Sequence, residues 1–392
     1  GGIIVSQAGE MVALKDTNGD DKADLRESLI RGWSIRDTHA LASNLKYGLD
    51  NWVWGAVGYS GFNGTVGGQA LNFNQALYRF SRDGNRMEHM ANFTNNTWGL
   101  AFNETFDVFG STANGEHSVY VAIPRPYYQG VSGLTGDGKK KIDGHYAMQA
   151  NTQKVRQVDV HGGFTAAAGH NFYTARAFPE EYWNRIAFVN EPTGHVVHRA
   201  IVEHQGSGFA EKDGWNIAAS DDEWFAPVHA EVGPDGALWL LDFYDFIIQH
   251  NPTPIGPIAQ EHPFQNGAGN AYDTPLREHD RGRIYRLVWK DAKPYTPLSL
   301  SVSRPLELVQ ALRHDNMFWR TTAQRLIVER GKTDVVPQII AVINDRTVDR
   351  IGLNSPAVHA LWTLHGLGVL DPPTPLRGLR RASDAAALDA AT

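Results

Sequence analysis

The sequence contains no cysteine among its 392 residues. It therefore forms no disulfide and holds no thiol nucleophile, cysteine-ligated zinc, iron–sulfur cluster or covalently attached c-type haem. No apolar run approaches the roughly 20 residues that a membrane-spanning helix needs, so we expect no transmembrane segment in this chain. The net charge of -7 gives a polyanion no general electrostatic attraction, and we expect no nucleic-acid partner.

Glycine and aromatic residues are abundant, with 39 Gly, 11 Trp, 13 Tyr and 17 Phe. This combination favours short strands and tight turns over a helical bundle. Residues 45–56, 100–111 and 230–241 each contain an apolar strand, a polar turn and a second apolar strand. These repeats predict a mainly β fold, a five- to six-bladed β-propeller over residues 1–297. The chain opens without an initiator Met or a signal peptide, so we expect absent upstream sequence and an incomplete N-terminal blade.

The composition changes after Pro297, where apolar residues recur at helical spacing. The segments 305–313, 318–330, 334–344 and 355–366 all show this period. Pro305 and Pro356 stand where the first turn of a helix accepts proline. We predict a small region of HEAT-like helical repeats over residues 298–380 and a flexible tail over 381–392.

An acidic stretch near the N-terminus has the oxygen spacing of a calcium-binding loop. From Asp16 to Glu27, oxygen side chains fall at positions 1, 3, 5, 9 and 12, as in an EF-hand loop, although Asp21 replaces the usual glycine at position 6. The flanking segments look like strands, so we predict a structural Ca²⁺. The alternative is an acidic hairpin turn. The predicted ligands are Asp16, Asn18, Asp20, Asp24 and Glu27, with the carbonyl of Lys22.

Several histidines stand next to predicted innermost strands. His39, two residues after Asp37, precedes the strand at 44–47, and His161 and His170 flank a run of small residues. In a propeller such positions lie near the central axis, and an imidazole titrates near neutrality, which suits a general base. The alternative for each histidine is a hydrogen bond to a neighbouring carbonyl.

Polar and aromatic clusters at other strand ends are candidate substrate contacts. The candidates are Trp98, Asp221, Asp222, Glu223, Trp224, His229, Asp242 and Tyr244. A tryptophan beside carboxylates serves as a sugar platform or simply packs between blades. Three arginines, Arg277, Arg281 and Arg283, either clamp an anion or form a solvated turn paired with neighbouring carboxylates.

Long segments of the chain resemble the membrane-bound dehydrogenase propellers of planctomycetes and verrucomicrobia. The segments are DTNGDDKAD, DTHALASNLKYGLDNWVWGA, NNTWGLAF, STANGEHSVYV, VRQVDVHGGFTAAAGH, FPEEYWNRIAFVNEPTGHVVHR, DDEWFAPVHAEVGPDGALWLLDFYDFIIQHNPTP and GRIYRL. The resemblance covers about residues 1–290. It implies an upstream blade, helical repeats after the propeller, and a periplasmic or secreted location.

That family is similar to the soluble quinoprotein glucose and aldose-sugar dehydrogenases. The resemblance implies that His39, oriented by Asp37, is the base that takes a proton from a sugar hydroxyl. It places Asn96 at pyrroloquinoline quinone, with Asn95 standing where those enzymes have an arginine. The arginine cluster is our candidate clamp for the carboxylates of that cofactor. We therefore expect a sugar or alcohol dehydrogenase-like propeller that passes electrons to a c-type cytochrome partner.

Two other functional classes fit the same residues. The first is a non-redox lyase or hydrolase of glycans, which uses the histidines and the carboxylates from Asp221 to Glu223. The second is a scaffold whose propeller binds a glycan or protein while its helices dock a partner. A second histidine and a full arginine clamp at the pocket would favour catalysis, whereas aromatics and amides alone would favour binding.

Overall fold

The computed structural model describes residues 2–7, 9–134, 136–153, 162–245, 248, 265–266, 272–273 and 280–370. The fold is mainly β, with helices gathered near the C-terminal end of this part of the chain. The strands in chain order are β1 (Ile3–Gln7), β2 (Glu10–Lys15), β3 (Leu25–Arg31), β4 (Ala42–Tyr47), β5 (Val53–Val57), β6 (Phe62–Val66), β7 (Gln69–Phe73), β8 (Ala76–Phe80), β9 (Met87–Asn92), β10 (Thr97–Phe102), β11 (Val108–Thr112), β12 (Val119–Val121), β13 (Lys139–Lys141), β14 (Ala168–Phe172), β15 (Ile186–Glu191), β16 (Val196–Gln205), β17 (Gly208–Ala219), β18 (Pro227–Val232), β19 (Leu238–Asp242), β20 (Gln265–Asn266), β21 (Tyr272–Asp273) and β22 (Arg283–Leu287).

These strands form successive antiparallel sheets in which neighbours follow chain order. Sheet 1 contains β1–β3, sheet 2 contains β4, β5, β8 and β9, and sheet 3 contains β10–β13. Sheet 4 contains β14–β17, and sheet 5 contains β18, β19 and β22. The hairpin β6–β7 interrupts sheet 2, and β20 pairs with β21 between the last two strands of sheet 5. The predicted strand–turn–strand units are confirmed as β4–β5, β10–β11 and β18–β19.

Clusters of apolar side chains lie between consecutive sheets. Trp33 and Tyr78 lie in the core between sheets 1 and 2, and Leu77 and Leu100 in the core between sheets 2 and 3. Similar clusters join sheet 3 to sheet 4 and sheet 4 to sheet 5. The strand that comes first in each of sheets 2 to 5 also contacts the first strand of the next sheet: β10 contacts β4 and β14, and β14 contacts β18. The sheets are thus stacked face to face with their first strands together.

The helices are α1 (Pro305–Ala311), α2 (Met317–Arg330), α3 (Val336–Asn344) and α4 (Ser355–Gly366). The helical periods predicted these elements to within a few residues, and Pro305 and Pro356 do lie in first turns. The side chain of Asn316 caps α2 by accepting a hydrogen bond from the Phe318 N–H. Within the residues that the structure covers, no helix is both long and apolar enough to cross a bilayer.

Helix α2 packs against the turns of the sheets. The Met317 N–H donates to the Thr174 carbonyl at 2.9 Å, and the Gln324 amide donates to the Leu49 carbonyl at 2.6 Å. The Trp319 indole N–H donates to the Pro234 carbonyl at 2.8 Å. Helix α2 is therefore fixed at its start and its middle to sheets 2, 4 and 5.

Candidate metal centre

Four side chains converge between sheets 3 and 4: those of His117, His145, His198 and Glu211. One ligating atom from each lies within 4.8 Å of all the others. One Glu211 oxygen, Oε1, lies 3.2 Å from His145 Nε2 and 3.3 Å from His198 Nε2, and the other, Oε2, lies 3.4 Å from His117 Nε2. Three imidazole nitrogens and a carboxylate therefore face one point.

The four residues come from different elements of two neighbouring sheets. His117 lies between β11 and β12, and His145 follows β13, so both belong to sheet 3. His198 is on β16 and Glu211 is on β17 of sheet 4. The pairing of β16 with β17 shifts register on both sides of His198. Trp215, in the bulged part of β17, has a φ of 64°. The Cα partner of Glu211 is Val202, four residues beyond His198 on β16, and the two side chains meet with His198 Nε2 3.3 Å from Glu211 Oε1.

A second layer of contacts orients the imidazoles with Nε2 toward the centre. His117 Nδ1 lies 3.4 Å from Asp143 Oδ2, and His145 Nδ1 lies 2.9 Å from the Ala147 carbonyl oxygen. The Gly144 N–H donates to Glu211 at 3.0 Å. Histidines that bind metals usually donate their other ring N–H to a carboxylate or carbonyl, because this fixes the tautomer and strengthens the ligand.

The electrostatics of the centre favour a cation. Burial would raise the pKa of Glu211, but hydrogen bonds with His117, His145 and His198 hold it well below its usual range. Burial lowers the pKa of His117 to about 4. Burial disfavours the charged form of His145, but its contact with Glu211 raises its pKa. At neutral pH Glu211 is therefore ionised and His117 neutral, as a metal requires, and metal binding would release a proton from His145 where that residue is charged.

The centre is open to solvent on one side. A cavity of about 240 Å³ reaches His117 and His145, and Lys141, Asp143 and Tyr146 form part of its wall. Phe164 closes the cavity behind His117, and the two rings stack with centroids 4.1 Å apart. A metal held at the four donors would thus be within reach of a small molecule in the cavity.

The sequence analysis missed these four residues. They stand in the unrelated segments NGEHS, IDGHY, VVHR and FAEKD and form no short motif. Of the four, only His198 stands within an apolar, strand-like segment, VVHRAIV. That signal is weak, because a single histidine in a strand is usually a core residue.

The structure brings three predicted dehydrogenase residues together. The Asp37 carboxylate accepts a hydrogen bond from the His39 N–H at 2.9 Å, and its Oδ1 lies 3.8 Å from His39 Nδ1. The Asn96 amide of sheet 3 donates to the His39 carbonyl at 3.1 Å. Trp98 is two residues further along, and its carbonyl accepts from Asn44 of sheet 2 at 3.1 Å. The catalytic and cofactor roles of these residues stay predictions.

The other predicted histidines have separate partners. His170 is buried on β14, where its Nε2 lies 2.5 Å from the Ser118 hydroxyl and its ring stacks on Phe109. His229 on β18 lies 2.9 Å from Glu231 through its Nε2. His161 lies outside the described residues. Catalytic and substrate-binding roles for this group stay predictions.

The predicted substrate contacts of sheet 5 form a cluster. The Tyr244 hydroxyl donates to Asp222 at 3.2 Å, and its ring lies 5.8 Å from that of Trp224. Asp242 accepts hydrogen bonds from two backbone N–H groups, and burial raises its pKa. The guanidinium of Arg283 stacks over the Tyr244 ring at 3.4 Å. Asp221 is exposed and Glu223 half-buried in the same loop, Arg281 lies two residues before Arg283, and Arg277 lies outside the described residues.

The predicted calcium loop is a tight turn in which side chains bond to backbone. Asp16 accepts from the N–H groups of Asn18, Gly19 and Asp21, at 2.6 to 3.0 Å. The Asp24 carboxylate instead accepts from Thr17. Asn18 and Asp20 each accept from the N–H two residues on, which for Asp20 belongs to Lys22, and Glu27 is on β3. The Ca²⁺ site stays a prediction.

A family model described as "Domain of unknown function (DUF7133)" matches residues 1–291 of the chain. No curated protein matches the sequence. Among solved structures, a glucose dehydrogenase is 17% identical, with a TM-score of 0.38, over 59% of this chain and 70% of its own. The aldose sugar dehydrogenase of Streptomyces coelicolor, bound to PQQ, is 14% identical, with a TM-score of 0.37, over 63% of this chain and 70% of its own.

The soluble aldose sugar dehydrogenase of Escherichia coli, in its apo form, is 15% identical, with a TM-score of 0.38. That match covers 62% of this chain and 73% of the other. At these scores and identities we draw no conclusion about substrate or cofactor from the likeness, and the site itself has to carry the functional argument.

Proposed function

The chain belongs to the DUF7133 family, and we propose that it is a metal-dependent enzyme that acts on a small molecule. The observation that carries this proposal is the convergence of His117, His145, His198 and Glu211 at the wall of a solvent-open cavity. Buried clusters of this kind are costly without a cation, because each imidazole and carboxylate loses its hydration.

The donor set indicates a divalent transition metal rather than calcium. Calcium takes six to eight oxygen ligands, whereas imidazole suits zinc, copper, iron and nickel. A zinc site with four protein ligands usually has no open coordination position and serves a structural role. Iron, manganese or copper accepts a fifth or sixth ligand, and that position would face the cavity beside His117 and His145. We therefore favour a metal of this second group, which would supply Lewis-acid or redox chemistry when bound.

The protein's own residues would position the substrate at that metal. The Lys141 ammonium lies 3.3 Å from Asp143, and the two form one wall of the cavity. The Tyr146 side chain, 63% exposed, stands at the opening and can pack against a bound molecule. Phe164 excludes water from the side of His117 that faces the core. A small polar substrate thus finds hydrogen-bonding groups on one side and an aromatic wall on the other.

The test is metal analysis of the purified full chain together with azide binding. We expect about one iron, manganese or copper ion per chain and a change in its absorption or EPR spectrum when azide binds. The His198→Ala variant should lose most of the metal, while His204→Ala, an exposed histidine on the same strand, should retain it. If the purified chain contains only zinc, and azide does not change the spectrum of a cobalt-substituted sample, the site is structural. That result would overturn the enzymatic proposal.

A second candidate function is the sugar or alcohol dehydrogenase predicted from the sequence. The contacts that join Asp37, His39 and Asn96 across two sheets support it, because they place an imidazole beside a carboxylate at the start of innermost strands. In this interpretation the stacked sheets form a five- or six-bladed propeller that continues into HEAT-like helices. The protein would act outside the cytoplasm and donate electrons to a c-type cytochrome.

The fit of pyrroloquinoline quinone depends on cations for its carboxylates. Arg36 near His39 already donates to the Tyr59 carbonyl at 3.0 Å, and Arg283 is stacked on Tyr244. Both guanidinium groups already have partners within the protein, so we assign neither to the carboxylates of the quinone. We therefore describe no reaction step that involves the quinone. Titration of the purified chain with the quinone, followed by a dye-reduction assay with glucose, tests this candidate. His39→Ala should abolish dye reduction without lowering the melting temperature, and an active variant would remove His39 from the mechanism.

A further inference from the structure

A second cavity lies where helix α2 covers the ends of four first strands. Its volume is about 360 Å³, within the range of small-molecule sites. Strands β4, β10, β14 and β18 contribute residues at their C-terminal ends, whereas His39 and Asn96 precede the starts of β4 and β10. The residues used below are Lys46, Phe102, Phe172, Glu231, Phe318 and Arg325.

The walls of this cavity are built firmly. Phe102 and Phe172 are buried on the sheet side. The helix that forms the opposite wall is held by the hydrogen bonds of Met317 to Thr174 and of Gln324 to Leu49. The first bond is at the start of α2 and the second is near its middle. Because they hold the helix against the sheets, the space between them is preformed.

An ion pair lies inside the cavity. Lys46 Nζ donates to Glu231 at 2.9 Å, and His229 lies 2.9 Å from the other Glu231 oxygen. Burial disfavours the charged carboxylate, but Lys46 and His229 hold the pKa of Glu231 well below its usual range. The Glu231 side chain is 55% exposed and forms part of the wall of the cavity.

The charges of the wall favour an anion. Glu231 is already satisfied by Lys46 and His229. Arg325 is 44% exposed, and its Nε lies 4.0 Å from Glu329, too far for a hydrogen bond. The cavity wall therefore carries two cations, Lys46 and Arg325, and one carboxylate, Glu231. Because the Arg325 guanidinium is partly exposed and its Nε is not hydrogen-bonded to Glu329, it is well suited to bind a carboxylate through two parallel hydrogen bonds.

We propose that this cavity binds a small hydroxylated carboxylate. Its carboxylate pairs with Arg325, its hydroxyl groups exchange hydrogen bonds with the Lys46–Glu231 pair, and its carbon chain lies between Phe172 and Phe318. The pair is suited to hydroxyl groups because Lys46 donates and Glu231 accepts. This site uses none of the metal-centre residues and is independent of the metal.

Isothermal titration calorimetry on the full chain, pretreated with EDTA, tests the proposal with three probes. Gluconate carries a carboxylate and hydroxyl groups, hexanoate carries the carboxylate alone, and glucose carries hydroxyl groups alone. We expect 1:1 binding of gluconate and at least about tenfold weaker binding of the other two. Arg325→Gln should weaken gluconate binding at least about tenfold. Arg82→Gln, which removes another exposed guanidinium that pairs with Glu329, should leave it unchanged.

Each alternative result overturns the proposal. Absence of gluconate binding would show that the cavity has another role, and equal binding of hexanoate or glucose would remove the proposed ligand class. Equal loss in both arginine variants would indicate a general charge effect. Because Arg325 is exposed, its substitution should leave the melting temperature unchanged, and this measurement confirms that the variant is folded.

Discussion

Arg320 of helix α2 forms a buried ion pair with Glu104, in the turn that joins β10 to β11. Arg176 of sheet 4 approaches the other Glu104 oxygen at 2.8 Å, and the Glu104 N–H donates to the Asn184 side chain at 2.6 Å. One carboxylate thus connects sheet 3, sheet 4 and the helices. It is the carboxylate partner of the buried Arg320, whereas Arg176 also pairs with Asp349 at 2.6 Å.

The first prediction concerns this carboxylate. Glu104→Gln should lower the free energy of unfolding by about 3–5 kcal/mol, because the buried Arg320 loses its carboxylate, while Arg176 keeps Asp349. Urea unfolding followed by circular dichroism measures the change. The control is Glu329→Gln, which breaks the exposed pair between Arg82 of sheet 2 and α2 and should cost no more than about 1 kcal/mol. Equal effects of the two substitutions would show that burial of the first pair contributes nothing.

The second prediction concerns stabilisation by metal. A cation that binds the folded centre and not the unfolded chain should raise the free energy of unfolding by about 2.7 kcal/mol when its free concentration is 100 times the dissociation constant. Thermal scans of EDTA-treated protein with added Fe²⁺, Mn²⁺ or Cu²⁺ measure the shift. Glu211→Gln should remove most of it. A shift of the same size in that variant would mean that the metal binds elsewhere.

The third prediction concerns pH. Burial, with a smaller contribution from Arg125, lowers the pKa of His89 to about 4, and the ring stacks on Phe73 with centroids 4.7 Å apart. The unfolded chain takes up a proton below about pH 6.5, while folded His89 does so only near 4. The contribution of His89 should therefore lower the free energy of unfolding as the pH drops from 6.5 to 4. Below pH 4 that contribution should change little.

His89→Phe keeps the stacking and removes this proton uptake. Its unfolding free energy should fall less between pH 6.5 and 4 than that of the unsubstituted protein. Denaturant titrations at pH 8, where the imidazole is neutral in both states, provide the reference for each protein. An unchanged acid slope would contradict the assignment of this effect to His89.

The fourth prediction concerns the close approach of two first strands. A Cβ added to Gly99 on β10 would lie 2.2 Å from the Gly169 carbonyl oxygen of β14. Because backbone must move, Gly99→Ala should cost about 1–3 kcal/mol. Gly208→Ala, whose new Cβ would meet only the Tyr120 ring at 3.7 Å, should be nearly neutral. Chemical unfolding of the two variants compares them directly.

The sequence predicted the parts of the fold that depend on local pattern. Pro305 and Pro356 mark helix starts because only the first turn accepts proline, and the turn at Gly233–Gly236 marks a hairpin because it carries proline and glycine. The metal centre depends on something else. His117 and Glu211 meet only after two sheets pack, and His198 joins them from a different strand of sheet 4. No local hydrophobic period in the sequence predicts which residues this packing brings together.

The ligands of the centre come from both sides of the junction between sheets 3 and 4. A bound cation would therefore behave as a reversible cross-link that closes a long loop of the chain. Because the ligands converge only when the two sheets are docked, the affinity for the ion is coupled to that docking. We therefore expect the rate of ion uptake during refolding to report when sheets 3 and 4 come together.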